Sequence, residues 1–326
     1  MSSSPLLRAW RRAATALITG SLVVGSITLA GPATASTPAP RTPSGLPSAI
    51  EPMAAYVPQV SCDPRIGPGT RKLANYLANT YRASTRTTWM SFYPCGTDGT
   101  PSEHSDGRAI DWMVNVRDPK QRAAANATIA WLLATDSHGN RYAMARRLGV
   151  MYLIWNNRIW GSWGGGWSNY NGCLAKSMQK AAYANACHRT HIHISLGWAG
   201  AQGRTSFWTK KVAAQDFGPC RARDLNWGPR YYGPRSTPCP QYAKARAPKG
   251  ATSTKKALVT WSGAWLGRSS SGPAVVAVRR ALHLSSSSSY GSSAVAAVER
   301  LQRAHHLPVT GAMNQNTWRA LLTATR

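Results

Sequence analysis

The stretch "SEHSDGRAIDW", residues Ser102–Trp112, places His104 seven positions before Asp111. Gly107 and Ala109 lie between them, and such small residues let the backbone turn so that the two side chains can converge on one point. Farther along the chain, "CHRTHIHIS" places three histidines within six positions, at His188, His191 and His193. We therefore expect the two clusters to form one site.

The second cluster contains a strand-like run, "HIHISL", from His191 to Leu196. Residues two apart in a strand share a face, so His191 and His193 point the same way while the isoleucines point into the core. Two histidines and a carboxylate, with a fourth position left to water, are typical of a catalytic zinc site. An oxygenase-type iron centre uses the same donors, but usually with its first two ligands much closer in sequence. The simplest alternative is that these are ordinary polar groups of the surface or the core.

The surrounding sequence predicts an α+β fold with an antiparallel sheet. Apolar residues recur at helical spacing after Pro68, and Asp118 followed by Pro119 is typical of a helix start. "NRYAMARRLG" predicts a helix that ends at Gly149. "VMYLIW", "NN" and "RIW" come next, and they predict a hairpin whose turn is Asn156-Asn157.

All six cysteines are expected to form disulfides, because an even number is typical of a protein in an oxidising compartment. A zinc site built from cysteines is the alternative, but no CxxC occurs in the chain. The spacing leaves about fifteen connectivities open. We expect neighbours to pair, because this closes short loops: Cys62–Cys95, Cys173–Cys187 and Cys220–Cys239.

The amino-terminal end has the pattern of an export signal. Arginines precede an apolar stretch, and "ATA" at 33–35 predicts cleavage near Ala35. We therefore expect residues 1–35 to be a signal peptide, and residues 36–56, rich in Pro, Ser and Thr, to be disordered. The mature protein is expected to be secreted, without a permanent membrane anchor, and to be a monomer.

Composition divides the rest of the chain into three parts. Residues 57–240 hold all the cysteines and are expected to form one folded domain. Residues 241–260 are basic and poor in apolar side chains, which predicts a flexible linker. Residues 261–326 show apolar residues at helical spacing, which predicts a small all-α domain of three helices.

The chain is strongly basic, with a formal net charge of +28. Such a surface attracts polyanions. Export excludes nucleic acid as the partner, so we expect the anionic polymers of a cell wall instead. A generally solvated basic surface is the alternative, and charge alone predicts no chemistry.

The motif "SEHSDGRAID" resembles S-x-H-x-x-G-x-A-x-D of the zinc D-alanyl-D-alanine carboxypeptidases at every fixed position. The later H-x-H is similar to that of the lysostaphin-like and murein endopeptidases. The resemblance implies a zinc DD-peptidase-like fold with Zn²⁺ as cofactor. It implies His104, Asp111 and His193 as the metal ligands, and His191 as a catalytic general base.

The same resemblance implies a catalytic role for His188, which completes an H-x-x-H-x-H run like that of the murein endopeptidases. The carboxypeptidases have Asp or Glu three residues before the last ligand, where this chain has Thr190, a poor base. Arg82 and Arg108 are the candidates for substrate binding, with structural roles as the alternative. "GSWGGGWSNYNG", Gly161–Gly172, is typical of a loop, with a groove wall as the alternative.

The C-terminal sequence resembles the three-helix peptidoglycan-binding domain across its full length, including L-Q-R, P-V-T-G and T-W-x-A-L. A generic helical bundle is the alternative.

Two functions for the whole protein therefore remain open. One is a zinc metallopeptidase, of carboxypeptidase or endopeptidase type, that cuts peptidoglycan peptides, and the other is a non-catalytic wall-binding protein that kept its metal and lost turnover. Thr190 favours the second; His191 and the complete ligand set favour the first.

Overall fold

A computed structural model describes residues 37–63, 65–91, 95 and 102–325 of the chain. The predicted signal peptide, residues 1–35, lies outside these residues. In the part of the chain that is described, no helix combines the length and the apolar character that crossing a bilayer would require.

One antiparallel sheet of six strands organises the fold. The strands are β1 (Trp89–Met90), β2 (Ala109–Trp112), β3 (Val150–Trp155), β4 (Arg158–Gly161), β5 (Trp167–Asn169) and β6 (Ile192–Leu196). They lie in the order β1-β2-β6-β3-β4-β5, so the strand with the last histidine of the H-x-H motif is near the centre. The α+β class and the antiparallel sheet predicted from sequence are confirmed.

Five helices accompany the sheet: α1 (Pro68–Thr85), α2 (Pro119–Leu133), α3 (Ala143–Leu148), α4 (Trp198–Ala201) and α5 (Ser206–Thr209). The first three begin or end at the residues that sequence predicted. The Asp118 carboxylate accepts hydrogen bonds from the amides of Lys120 and Gln121, which caps α2. Gly149 ends α3 at a φ of 70°, in the left-handed region where glycine is favoured.

The two faces of the central strands differ in character. Ile110, Ile192, Ile194 and Leu153 are buried in the apolar core, which the long helices cover. The residues that alternate with them along each strand lie on the other face, and these include the polar side chains of the candidate site. This alternation follows from the two-residue period of a strand.

The three disulfides are the neighbouring pairs that we expected: Cys62–Cys95, Cys173–Cys187 and Cys220–Cys239. The described part of the chain has no free cysteine.

The expectation of disorder over residues 36–56 is wrong for the part that the structure describes. Residues 37–56 form no helix or strand, but polar groups of the folded body hold them in place. The guanidinium groups of Arg146 and Arg147 donate hydrogen bonds to the carbonyls of Glu51 and Pro47. The Glu51 carboxylate is itself buried and accepts from Ser206. The amino-acid composition does not reveal this order, because most of the hydrogen bonds involve the backbone of the segment and not its side chains.

The region predicted as a flexible linker, residues 241–260, is also ordered. It contains most of helix α6 (Ser253–Trp261), whose Leu258 is fully buried. Asn226 fixes the approach to this helix, because its side-chain amide donates to the carbonyls of Ala245 and Val259. The linker expectation is therefore wrong in these residues, since backbone hydrogen bonds and one apolar side chain compensate for the polar composition.

Three further helices complete the chain: α7 (Pro273–Ala281), α8 (Gly291–Ala304) and α9 (Gln315–Ala324). Gln302 of the L-Q-R motif is fully buried among them. Its amide donates to Thr317 and to the carbonyl of Ala312, and its oxygen accepts from the backbone of Thr310 and Gly311. One side chain thus fixes the P-V-T-G loop against α8 and α9.

Candidate metal centre

The strand register brings two of the predicted ligands together. Asp111 of β2 and His193 of β6 are direct cross-strand partners, so their side chains lie on the same face of the sheet. This is the face opposite the apolar core. Nδ1 of His193 lies 3.0 Å from Oδ1 of Asp111.

The third predicted ligand, His104, comes from a short 3₁₀ turn over Glu103–Asp106, just before β2. Gly107 ends this turn at a φ of 77°, and a Cβ there would lie 2.1 Å from the carbonyl oxygen of Arg65. Only glycine fits both conditions, which explains the glycine of the motif. The turn places Nε2 of His104 3.1 Å from Oδ1 of Asp111 and 3.1 Å from Nδ1 of His193.

These three buried side chains form the one cluster in the described residues that could hold a metal ion. Ligand atoms about 2.0–2.1 Å from a tetrahedral zinc ion lie about 3.3 Å from one another. The separations of 3.0–3.1 Å are close to that value. The spacing of the donor atoms therefore fits a small metal ion.

Hydrogen bonds on the far side of each ring determine which nitrogen faces the centre. Nδ1 of His104 lies 2.9 Å from the carbonyl oxygen of Ser91, which can only accept, so this nitrogen carries the proton. Nε2 of His193 lies 2.7 Å from Oγ of Ser195, and that hydroxyl donates to Glu103. In both neutral rings the lone pair then points at the Asp111 carboxylate. Two lone pairs and a negative charge at this distance repel one another unless a cation lies between them, and when no metal is bound that cation is a proton, which turns a ring nitrogen into a hydrogen-bond donor to Asp111.

The pKa values of Asp111 and His104 also indicate that a positive charge is stabilised at this site. Burial opposes ionisation of Asp111, but hydrogen bonds from His104 and His193 outweigh it together and hold the pKa of the carboxyl well below its usual range. Burial lowers the pKa of His104, yet its bond to Asp111 and the charge of that carboxylate leave the pKa raised overall.

Sequence reasoning missed a polar network that supports the ligands. The Tyr152 hydroxyl donates to the Glu103 carboxylate, and Ser195 donates to the same oxygen over 3.4 Å. The ring of Tyr152 stacks on His193 with centroids 5.2 Å apart. Tyr152 and Ser195 are cross-strand partners in β3 and β6, so only the strand register reveals them.

His191 lies beside the three ligands, and its Nε2 is 3.7 Å from Oδ1 of Asp111. Its other nitrogen, Nδ1, is 3.1 Å from Oγ1 of Thr190, which donates to Oδ1 of Asn185. Because that hydroxyl uses its proton on Asn185, it accepts the proton of His191 Nδ1. The lone pair of Nε2 is therefore directed toward the centre. Burial lowers the pKa of His191, which favours the neutral ring.

His188 completes the cluster of histidines. Its ring centroid is 4.5 Å from that of His191, and its edge packs against Tyr170. Burial, and then the nearby charges of His193 and His191, lower the pKa of His188 to about 3. Its Nδ1 is buried, and a backbone hydrogen bond with Ala186 opposes part of this lowering of the pKa.

The two arginines considered for substrate binding lie elsewhere. Arg108 is fully buried, where it forms two hydrogen bonds with the Asp106 carboxylate and packs on Trp198. Arg82 is exposed on α1 and donates to Asn79. Arg108 therefore has a structural role, because its charge is neutralised inside the protein.

An open groove of about 840 Å³ borders the candidate centre at Thr190 and Met113. Arg117 and Lys120 line it and are exposed. The charges of these two side chains can attract an anionic group to the groove, which neither Arg82 nor Arg108 lines.

Comparisons with known protein families match two separate parts of the chain. Residues 62–180 match the family described as VldE, C-terminal domain. This match includes His104 and Asp111 but ends before His191 and His193, and it carries no information about a zinc DD-peptidase. Residues 271–321 match the family described as putative peptidoglycan binding domain, which confirms that prediction for the C-terminal helices. No curated protein and no solved structure matches the chain.

Proposed function

We propose that this protein is a secreted zinc-dependent peptidase that cuts amide bonds in the peptides of peptidoglycan. The observation that carries the proposal is the convergence of His104, Asp111 and His193 on one point, with the free nitrogen of His191 directed at the same point. The peptidoglycan-binding domain supports the substrate class. Three disulfides fit an extracellular or cell-wall protein.

The residues of the site have distinct roles in this proposal. Zinc, when bound by the three ligands, supplies a Lewis acid and a water of lowered pKa. His191 accepts a proton at Nε2 and returns it to the leaving amine. Thr190 holds the ring of His191 in the tautomer that this transfer needs, so it serves as a positioning residue and not as the base. His188 offers a hydrogen bond to the substrate carbonyl as charge develops on its oxygen.

A non-catalytic wall-binding protein is the second candidate function. Thr190 favours it, because the related carboxypeptidases have a carboxylate at that position. In this candidate the same three residues bind the metal for stability alone. The geometry of Thr190, Asn185 and His191 supports the catalytic proposal, because a base that is held by its far nitrogen can replace the missing carboxylate.

The replacement His191→Ala separates the two candidates. We expect this variant to keep its zinc and to hydrolyse soluble muropeptides about 100-fold more slowly or worse, which is the effect of losing a general base. The matched control is His305→Ala, because that histidine is exposed and belongs to the C-terminal domain. Product formation is measured by chromatography of the digested muropeptides, and zinc by elemental analysis.

Replacement of Thr190 tests the positioning role within the same experiment. Thr190→Val should lower kcat about tenfold with little change in KM, and Thr190→Ser should restore the rate. If the parent protein binds zinc but releases no new amine from any muropeptide, the non-catalytic candidate is correct. If His191→Ala loses zinc while His193→Ala keeps it, the roles of the two histidines are reversed.

A further inference from the structure

Two aromatic side chains near the metal centre are exposed and in contact with each other. Trp163 follows β4, and 56% of it is exposed, while 53% of Tyr56 is exposed. Their ring centroids lie 4.9 Å apart at an interplanar angle of 64°. Leaving large aromatic rings in water costs free energy, so a cluster of exposed rings indicates a binding surface.

The indole of Trp163 is fixed although it is exposed. It lies against the backbone of Gly161, where a Cβ atom would come within 2.6 Å of the indole ring. Any residue other than glycine at 161 would therefore push the indole away. An exposed ring that packs on a glycine loses little conformational entropy when a ligand stacks on it.

The exposed pair is continuous with the metal centre. Trp163 contacts Tyr152 at a centroid distance of 6.0 Å, and Tyr152 stacks on His193 at 5.2 Å with an interplanar angle of 15°. A ligand on Trp163 therefore lies two ring contacts away from a predicted metal ligand.

Glycines leave open space beside the indole. A Cβ atom added to Gly164 or Gly166 would meet nothing within 4 Å. Residues 164–166 are exposed, so the backbone of this loop faces solvent next to the aromatic surface, although the Gly164 amide already donates to Gly161 and the Gly165 carbonyl accepts from Tyr142. Trp163 has no charge, and burial raises the pKa of Tyr56, so its phenol is neutral as well.

We propose that Trp163 and Tyr56 form a stacking subsite for a neutral, N-acetylated saccharide ring of the wall glycan. The apolar C–H face of a sugar ring packs on an indole, and its hydroxyl and amide groups can bind to the exposed backbone of the glycine loop. A stem peptide carries carboxylates and fits the uncharged subsite less well. Together with the proposed peptidase activity, on which this last point rests, the subsite predicts a preferred substrate. That substrate is a stem peptide that is still attached to its sugar.

Binding of a peptide-free glycan tests the subsite without any need for hydrolysis. The probe is a tetrasaccharide of N-acetylglucosamine, which is N-acetylated and neutral, titrated into the full-length protein by calorimetry. We expect Trp163→Ala to weaken one class of binding sites about tenfold or more, and Trp163→Phe to weaken it less. Gly161→Ala should also weaken it, because the added methyl group displaces the indole.

The matched control is Tyr232→Ala, because Tyr232 is 81% exposed and its change should leave all glycan binding as in the parent. The C-terminal domain can bind the same probe, so the decisive quantity is the difference between Trp163→Ala and the control. Equal stoichiometry and affinity in these two variants would overturn the proposed subsite. Loss of binding in Trp163→Ala would support it even if the protein hydrolyses no muropeptide.

Discussion

The candidate metal centre and the C-terminal helices are built in opposite ways. His104 and His193 are 89 residues apart in sequence, and they meet because of a turn, a strand register and directed hydrogen bonds. Helices α7, α8 and α9 instead follow one another over about fifty residues, and their apolar side chains recur at helical spacing. The first region is specified by geometry between distant segments, and the second by local amphipathic patterns.

The core of the C-terminal helices also includes residues that are distant in sequence. Leu225 and Cys62 precede the C-terminal helices by many residues, yet both lie in the same apolar cluster as Val275 and Trp318. The helical region is therefore not independent of the rest of the chain in its packing. Local patterns predict which helices form, but not which distant residues complete their core.

The largest expected effect concerns the metal centre. Asp111→Ala should reduce zinc content from about one ion per chain to none, because a catalytic zinc site with three protein ligands has none to spare. Hydrolysis of muropeptides should be lost with the metal. Zinc is measured by elemental analysis of protein purified without chelator. The control is Asp224→Asn, since that carboxylate is exposed, and full zinc in Asp111→Ala would contradict the assignment.

The second prediction tests the packing of Leu225. Leu225→Ala should destabilise helices α7–α9 by about 2–5 kcal/mol, because the residue is fully buried in their core. Faster hydrogen exchange of the amides in those helices is the measurement. Leu132→Ala is the matched control, because Leu132 is buried in the other cluster, beneath the sheet. Unchanged exchange in α7–α9 of Leu225→Ala would mean that the C-terminal region folds without the preceding domain.

The elements of the fold could be predicted because their signals are local. The cap at Asp118, the Asn156-Asn157 turn and the glycine at 149 each determine a boundary through backbone conformation. The convergence of His104, Asp111 and His193 could also be predicted, since a motif of fixed spacing carries two of these residues and a strand pattern carries the third.

The supporting residues of the centre could not be predicted. A β-bulge between Val150 and Tyr152 sets the register that pairs Tyr152 with Ser195, and no pattern in the sequence locates that bulge. The order of residues 37–56 was missed for a different reason. Arg147 binds backbone carbonyls of that segment, and a carbonyl is present at every residue, so composition carries no signal for it.

The smallest expected effect concerns the ion pair between Asp224 and Arg319. The two side chains form a bidentate contact with N–O distances of 2.7 and 3.0 Å, and it joins the segment around Leu225 to α9. Both side chains are about half exposed, so Asp224→Asn should destabilise the protein by less than about 1 kcal/mol at neutral pH. High salt should reduce this difference further.

The pH dependence of that difference has a definite sign. The hydrogen bond from Arg319 lowers the pKa of Asp224 below its usual value of 3.8. A group whose pKa is lower in the folded state stabilises the protein above its unfolded pKa, and this contribution is lost as the pH falls through the folded pKa. The parent and Asp224→Asn should therefore differ most above pH 4 and converge in stronger acid, as measured by chemical denaturation. Glu299→Gln is the control, because its contact with Arg303 spans 3.9 Å within α8 alone. A difference that grows as the pH falls would show that Asp224 does not pair with Arg319 in solution.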